Sequence, residues 1–156
     1  MLLAGAAAYL VAARGGAEGG DAAASVTRVV DGDTVEVSLA GRREKVRYIG
    51  IDTPESVKPG TPVQCFAKAA AAENRRLVDG RRVTLHFDAE RRDRYGRLLA
   101  YVYPEGGGPS VNSTLVRLGY ARTLTIPPNV RHAEQFAQLA AGARSRGRGL
   151  WRACRA

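Results

Sequence analysis

The chain has 156 residues and a net charge of +9, and is 45% hydrophobic and 25% charged. That suffices for one domain with a real core, not for two comfortable ones, and it excludes a disordered chain. The basic excess suits a polyanion such as nucleic acid, an anionic membrane or an acidic polysaccharide, although the preponderance of arginine over lysine also fits genomic base composition.

In chain order, "MLLAGAAAYLVAA" opens the sequence as an uncharged apolar run. It is too short for a membrane-spanning helix and resembles the hydrophobic region of a secretory signal, with small-residue cleavage sites after Ala13 or near Ala24. A basic leading segment is missing, so an uncleaved anchor is the alternative. "RGGAEGGDAAAS" follows as a Gly/Ala linker, expected to be disordered. Residues 1–24 are thus expected to be a signal-like or anchoring segment and linker, and residues 25–156 the folded domain. The expected location is secreted or in the cell envelope, with membrane attachment if the segment stays on.

"SVTRVVDGDTVEVSLAGRREKVRYIGID" predicts three consecutive strands, from its β-branched residues and the turns at Gly32 and Gly41. "TPVQCFAKAAAAENRRLVDG" predicts a helix with Thr61 as N-cap, Pro62 in the first turn and Gly80 as the stop. "RRVTLHFD" and "GRLLAYVYP" predict two more strands. "SVNSTLVRLGYA" predicts a short helix capped by Ser110. The last helix is expected within "PPNVRHAEQFAQLAAGARSRGRGLW", with Val130, Phe136, Leu139 and Ala140 on one stripe. The order is α+β, and five strands with an inserted helix fit a small closed barrel of the OB type.

Asp31, Asp33, Asp52 and Glu55 stand near strand ends. Barrel closure would have to bring Asp33 and Asp52 together. Carboxylates without histidine or thiol make a hard-oxygen site, suited to calcium or magnesium. "DGDT" also reads as a hairpin turn, and that is the reading taken for Asp31. Arg47 inside a strand and Arg97 at the start of another need partners there. Two guanidiniums beside a carboxylate-bound divalent ion make a phosphate clamp. The two cysteines, Cys65 and Cys154, suggest a disulfide in an exported chain, or else two buried thiols. His86 and His132 stand alone and suit no zinc site.

The series "VVDGDTVEV", "VRYIGIDTPES", "DRYGRLLAYVY" and "VNSTLVRLGYAR", in this order and spacing, resembles the staphylococcal nuclease-like (thermonuclease) family from about Ser25 to Trp151. The resemblance implies a five-stranded OB-type β-barrel with three helices and calcium-dependent hydrolysis of DNA and RNA, leaving 3′-phosphate ends. By motif match Asp33, Asp52 and the Thr53 carbonyl would hold Ca²⁺, and Glu55 would be the general base that activates water. Arg47 and Arg97 would bind the phosphate, with Arg94 and Tyr95 beside the substrate phosphates. Cys65 and Cys154 look like the disulfide pair of many exported bacterial relatives. Near the C-terminus "GRGLW" also matches, with Trp151 expected as a packing anchor. A monomer with no obligate protein partner is expected.

Two segments depart from the family, and one of them is the loop "SVKPGTPVQ", which differs in length and charge from the founding enzyme's loop. Where the founding enzyme carries tyrosines near the nucleotide base, this chain has "RTLTIPPN", and neither Thr125 nor Pro127 stacks on a base as an aromatic ring does. The alternative to an enzyme is a non-catalytic OB-fold module that grips nucleic acid. A third reading has the carboxylates binding Ca²⁺ for stability alone.

Overall fold

The computed structural model describes residues 20–154. The proposed signal or anchor therefore lies almost wholly outside the described residues. Five strands close a barrel: β1 (Ala22–Val29), β2 (Thr34–Leu39), β3 (Arg42–Tyr48), β5 (Arg82–His86) and β6 (Leu98–Pro104), in the spatial order β1-β2-β3-β6-β5. β1 pairs with both β2 and β5, and β3 pairs with β6 in parallel, so the sheet closes on itself. β4 (Ile51–Asp52) and β7 (Arg122–Thr123) form a separate two-residue ribbon. This is the expected α+β, OB-type architecture.

β1 begins three residues before Ser25. Ala22, Ala23 and Ala24, read as linker, pair with Leu85, Thr84 and Val83. Alanine has little intrinsic preference for strands, so the pairing and the burial of Ala24 override local propensity. Inside the barrel Val35, Val37, Val46, Leu85, Ala100 and Val102 have no exposed surface. The strand alternation supplies these inward positions, and their burial is the main driving force.

α1 (Ala67–Val78) starts later than expected. Thr61 is not its cap; Phe66 precedes the helix in a left-handed conformation, with no side-chain cap. The reason is tertiary. Cys65 is bonded to Cys154, and Gln64 is tied to Glu55, so residues 53–66 stay a loop. α2 (Val111–Arg117) is capped as expected, since Ser110 Oγ accepts the Ser113 N–H at 3.1 Å. α3 (Ala133–Ser145) buries Phe136, whereas Val130 lies before the helix and is 46% exposed. α4 (Leu150–Ala153) is a separate turn, a fourth helix where three were expected.

Two buried asparagines lock the layers together. Asn112 Oδ1 accepts the Val102 N–H, and its amide donates to the carbonyls of Ile49 and Ala100. Asn74 on α1 accepts the Tyr48 hydroxyl and donates to the Asp31 carbonyl. The second network ties the helix to the two segments that carry the acidic residues.

Candidate active site

The antiparallel β2–β3 hairpin places the start of β2 beside the end of β3, with Thr34 opposite Arg47. The Tyr48 N–H donates to the Asp33 carbonyl at 2.9 Å. The chain then reverses at Gly50 (φ 79°) and returns as Ile51–Asp52. Asp33 and Asp52 therefore meet through one hairpin and its following turn, not through barrel closure. Glycine is required at the turn, because a Cβ there would also stand 2.8 Å from the Phe136 ring.

Asp33 is 5% exposed and accepts from the Thr53 backbone N–H at 2.8 Å and the Thr53 hydroxyl at 3.0 Å. Arg47 Nη2 stands 3.3 Å from Asp33 Oδ2 and 3.0 Å from Asp52 Oδ1. Arg47 Nη1 donates to the carbonyls of Tyr48 and Ile51. This guanidinium thus braces the turn that carries Asp52 as well as neutralising two carboxylates.

The negative charge here is dense. Burial, and then the charge of Asp33, push the Asp52 carboxyl above the usual carboxylate range. Asp31 is a turn residue, as expected, but a buried one: it is 9% exposed, with its carboxyl pushed up to about 6 by burial and by Asp33. It also accepts the Asp33 N–H at 3.1 Å, so it shapes the loop that aims Asp33. Among the described residues no three acidic, thiol or imidazole groups are grouped to hold an ion by themselves. Asp33, Asp52 and the Thr53 carbonyl nevertheless offer a donor set made only of oxygen. The two carboxylates converge on the Arg47 guanidinium, and donors of oxygen alone are the kind that a hard divalent cation takes.

Glu55 lies in the loop after β4. Its Oε1 accepts from the N–H groups of Val57 and Lys58, at 2.8 and 3.0 Å. Its backbone is held by Gln64 in both directions: Glu55 N–H donates to Gln64 Oε1, and Gln64 N–H donates to the Glu55 carbonyl. The carboxylate is thereby ordered from its own turn.

Arg97 enters through the parallel β3–β6 pair, one residue before Leu98, which stands opposite Val46. Asp93 fixes it, accepting from Arg97 Nε at 2.7 Å and from the Arg97 backbone N–H at 3.1 Å. Both Nη groups are left without a partner among the described residues, so the fork is free for a phosphate. Tyr95 is 67% exposed, with the guanidiniums of Arg94 and Arg97 at 4.8 and 5.3 Å from its ring centre. Arg47, Arg94, Tyr95 and Arg97 line one cleft of about 460 Å³, whose far wall carries Leu124 and Ile126. These two are 40% and 60% exposed, so that wall presents an aliphatic surface.

Sequence reasoning missed two supporting residues, Gln64 and Asp93, and the burial of Asp31. The signal for Asp93 was present in "DRYGR", an acid four residues before the arginine. Gln64 carried none, since its partner is nine residues away across a loop. His86 sits outside the cleft against Tyr103 and 3.3 Å from Asp21.

A model described as staphylococcal nuclease homologue matches residues 45–153. The chain is 41% identical over 126 residues to the thermonuclease of Staphylococcus intermedius, an overlap of 81% of this chain and 74% of that protein. It is 42% identical over 129 residues to the SPbeta prophage-derived endonuclease YokF of Bacillus subtilis (strain 168), covering 81% of this chain and 43% of that one. The endonuclease YncB of the same organism is 43% identical over 114 residues, covering 72% and 53%. The chain spans about half the length of these two Bacillus relatives.

Proposed function

This chain belongs to the staphylococcal nuclease family, and on that premise we propose that it is a calcium-dependent nuclease that hydrolyses DNA and RNA phosphodiesters and leaves 3′-phosphate ends. The observation that carries this reading is the position of Arg47. It touches Asp33 and Asp52 and lines the same cleft as Arg97 and Tyr95.

Asp33, Asp52 and the Thr53 carbonyl would hold Ca²⁺, which when bound supplies charge neutralisation and Lewis-acid polarisation at the phosphoryl group. Glu55 takes a proton from the attacking water. A general base acts only within reach of the proton it takes, and the Gln64 latch supplies that position. The free Nη fork of Arg97 binds two phosphate oxygens and stabilises the charge that builds on them, while Arg47 supports this from the acidic side. The 5′ oxygen departs. The disulfide supports an extracytoplasmic place of action.

The test is digestion of single-stranded and duplex DNA and of RNA, with Ca²⁺ or with chelator, by the native protein, Glu55→Gln and Arg97→Ala. Calcium-dependent cleavage with 3′-phosphate ends, reduced about 10²–10³-fold in Arg97→Ala, is expected. Salt-sensitive binding with no cleavage in any condition would leave the binding module instead.

A further inference from the structure

A second basic site adjoins Asp52 across the β4–β7 ribbon. Between β7 and α3 runs an open groove of about 680 Å³, lined by Arg122, Arg144 and Trp151 and floored by Ala140 and Ala141. The guanidiniums of Arg122 and Arg144 lie 4.5 and 5.6 Å from the Trp151 ring centre. The indole thus orders both cations through its π face, without consuming their N–H donors. Neither has a carboxylate or carbonyl partner among the described residues, and no acidic residue lines the groove. Trp151 Nε1–H, buried, also lacks a hydrogen-bond partner among the described residues.

The groove meets the candidate active site at Arg122. Arg122 stands opposite Asp52 in the β4–β7 ribbon. It also lines a smaller cavity of about 200 Å³ together with Asp52 and Thr53. Ile51 and Leu124, from the same two chain segments, line the Arg97 cleft. A strand whose scissile phosphate sits at Arg97 and Asp52 would reach Arg144 by way of Arg122.

We propose that the Arg122–Trp151–Arg144 groove is an exosite for the sugar-phosphate backbone of a polynucleotide, holding phosphates that flank the scissile bond. This rests on the nuclease reading, and it adds a preference for long substrates cut internally. Guanidinium forks match phosphodiester oxygens, and contact with the backbone alone adds affinity without sequence preference.

The test uses the full chain, Arg144→Gln, Arg122→Gln, their double variant and Arg144→Lys, with unfolding curves to establish that each folds. Binding of a fluorescent single-stranded DNA 30-mer is measured in chelator across a range of salt concentrations. Cleavage of the 30-mer is compared with that of a nucleoside phosphate bearing a single nitrophenyl ester, which is too short to reach the groove. Each Gln substitution should reduce the log–log salt slope by about 0.7, equally for different sequences, with Arg144→Lys retaining it. KM for the 30-mer should rise while kcat/KM for the short ester stays unchanged. An unchanged salt slope in the double variant overturns the exosite, whether or not the protein cleaves. Equal losses on both substrates overturn it too, because the arginines would then act through Asp52. A reduced slope in a protein that cleaves nothing would keep the groove and remove the nuclease reading.

Discussion

Replacing Cys65 and Cys154 together by serine removes the one covalent link between the Glu55 loop and the C-terminus. The bridge joins residues 89 apart in sequence, so most of the domain is inside its loop. Restricting an unfolded loop of that length is worth about 4.6 kcal/mol at 25 °C in the chain-entropy model. Native contacts should survive, because Leu150 is buried and its N–H donates to the Gly119 carbonyl independently of the bridge. Residual structure in the unfolded chain lowers the figure, so a loss of about 2–4.6 kcal/mol is expected. With roughly 135 ordered residues at about 2.1 cal/mol/K each, that is a fall in Tm of about 7–16 °C. Thermal and urea unfolding of the native and double-serine proteins measure it. A second consequence is catalytic: Gln64, next to Cys65, holds the Glu55 backbone, so kcat should fall more than KM changes. A Tm within about 3 °C of the native value would refute the entropic reasoning. An unchanged kcat alongside the expected Tm loss would refute the coupling of the bridge to Glu55.

The two site arginines should separate stability from activity. Arg97→Ala should cost little stability, whereas Arg47→Gln strips partners from Asp33, Asp52 and two carbonyls and should cost about 2–4 kcal/mol in urea unfolding. Asp93→Asn keeps the acceptor for the Arg97 backbone N–H but loses the charge that orients its guanidinium. It should lower kcat about tenfold, read from single-turnover rates at saturating substrate, with an unchanged melting curve. For the metal-free protein, Asp31 binds its proton more tightly folded (about 6) than unfolded (3.8), so this carboxyl lowers stability as pH rises from about 4 to 6. Asp31→Asn should then stabilise the chelated protein by about 1–3 kcal/mol at pH 7 and flatten unfolding free energy against pH across that window. Asn112→Ala leaves the Val102 N–H and the Ile49 carbonyl unpaired in the core and should cost at least about 3 kcal/mol in the same unfolding assay.

Much of the candidate site was readable because its geometry is local. Asp33, Arg47, Asp52 and Glu55 fall within one hairpin and the turn after it, and the register of that hairpin brings the first three together. Asp93 and Arg97 meet within a single turn of chain. The Ser110 cap was legible for the same reason: cap and recipient are three residues apart. The strands were legible because alternation of apolar residues reports which face will be buried, wherever that face ends up.

The start of α1 was not legible, because Gln64 and Cys65 answer to Glu55 and Cys154 and not to their neighbours. Helix propensity favours an earlier start, and distant partners outweigh it. Ala22–Ala24 became strand only because β5 lies alongside. Burial of Asp31 likewise depends on the packing around it, and no local pattern reports desolvation. The Arg122–Trp151–Arg144 groove needs β7, α3 and α4 assembled before it exists. Sequence alone determined the local chemistry: which groups stand within a few residues of one another, and which face of each strand is apolar. Tertiary structure decided what depends on burial and on partners far along the chain, because the energy of a carboxyl, a thiol or a guanidinium is set by what surrounds it in space.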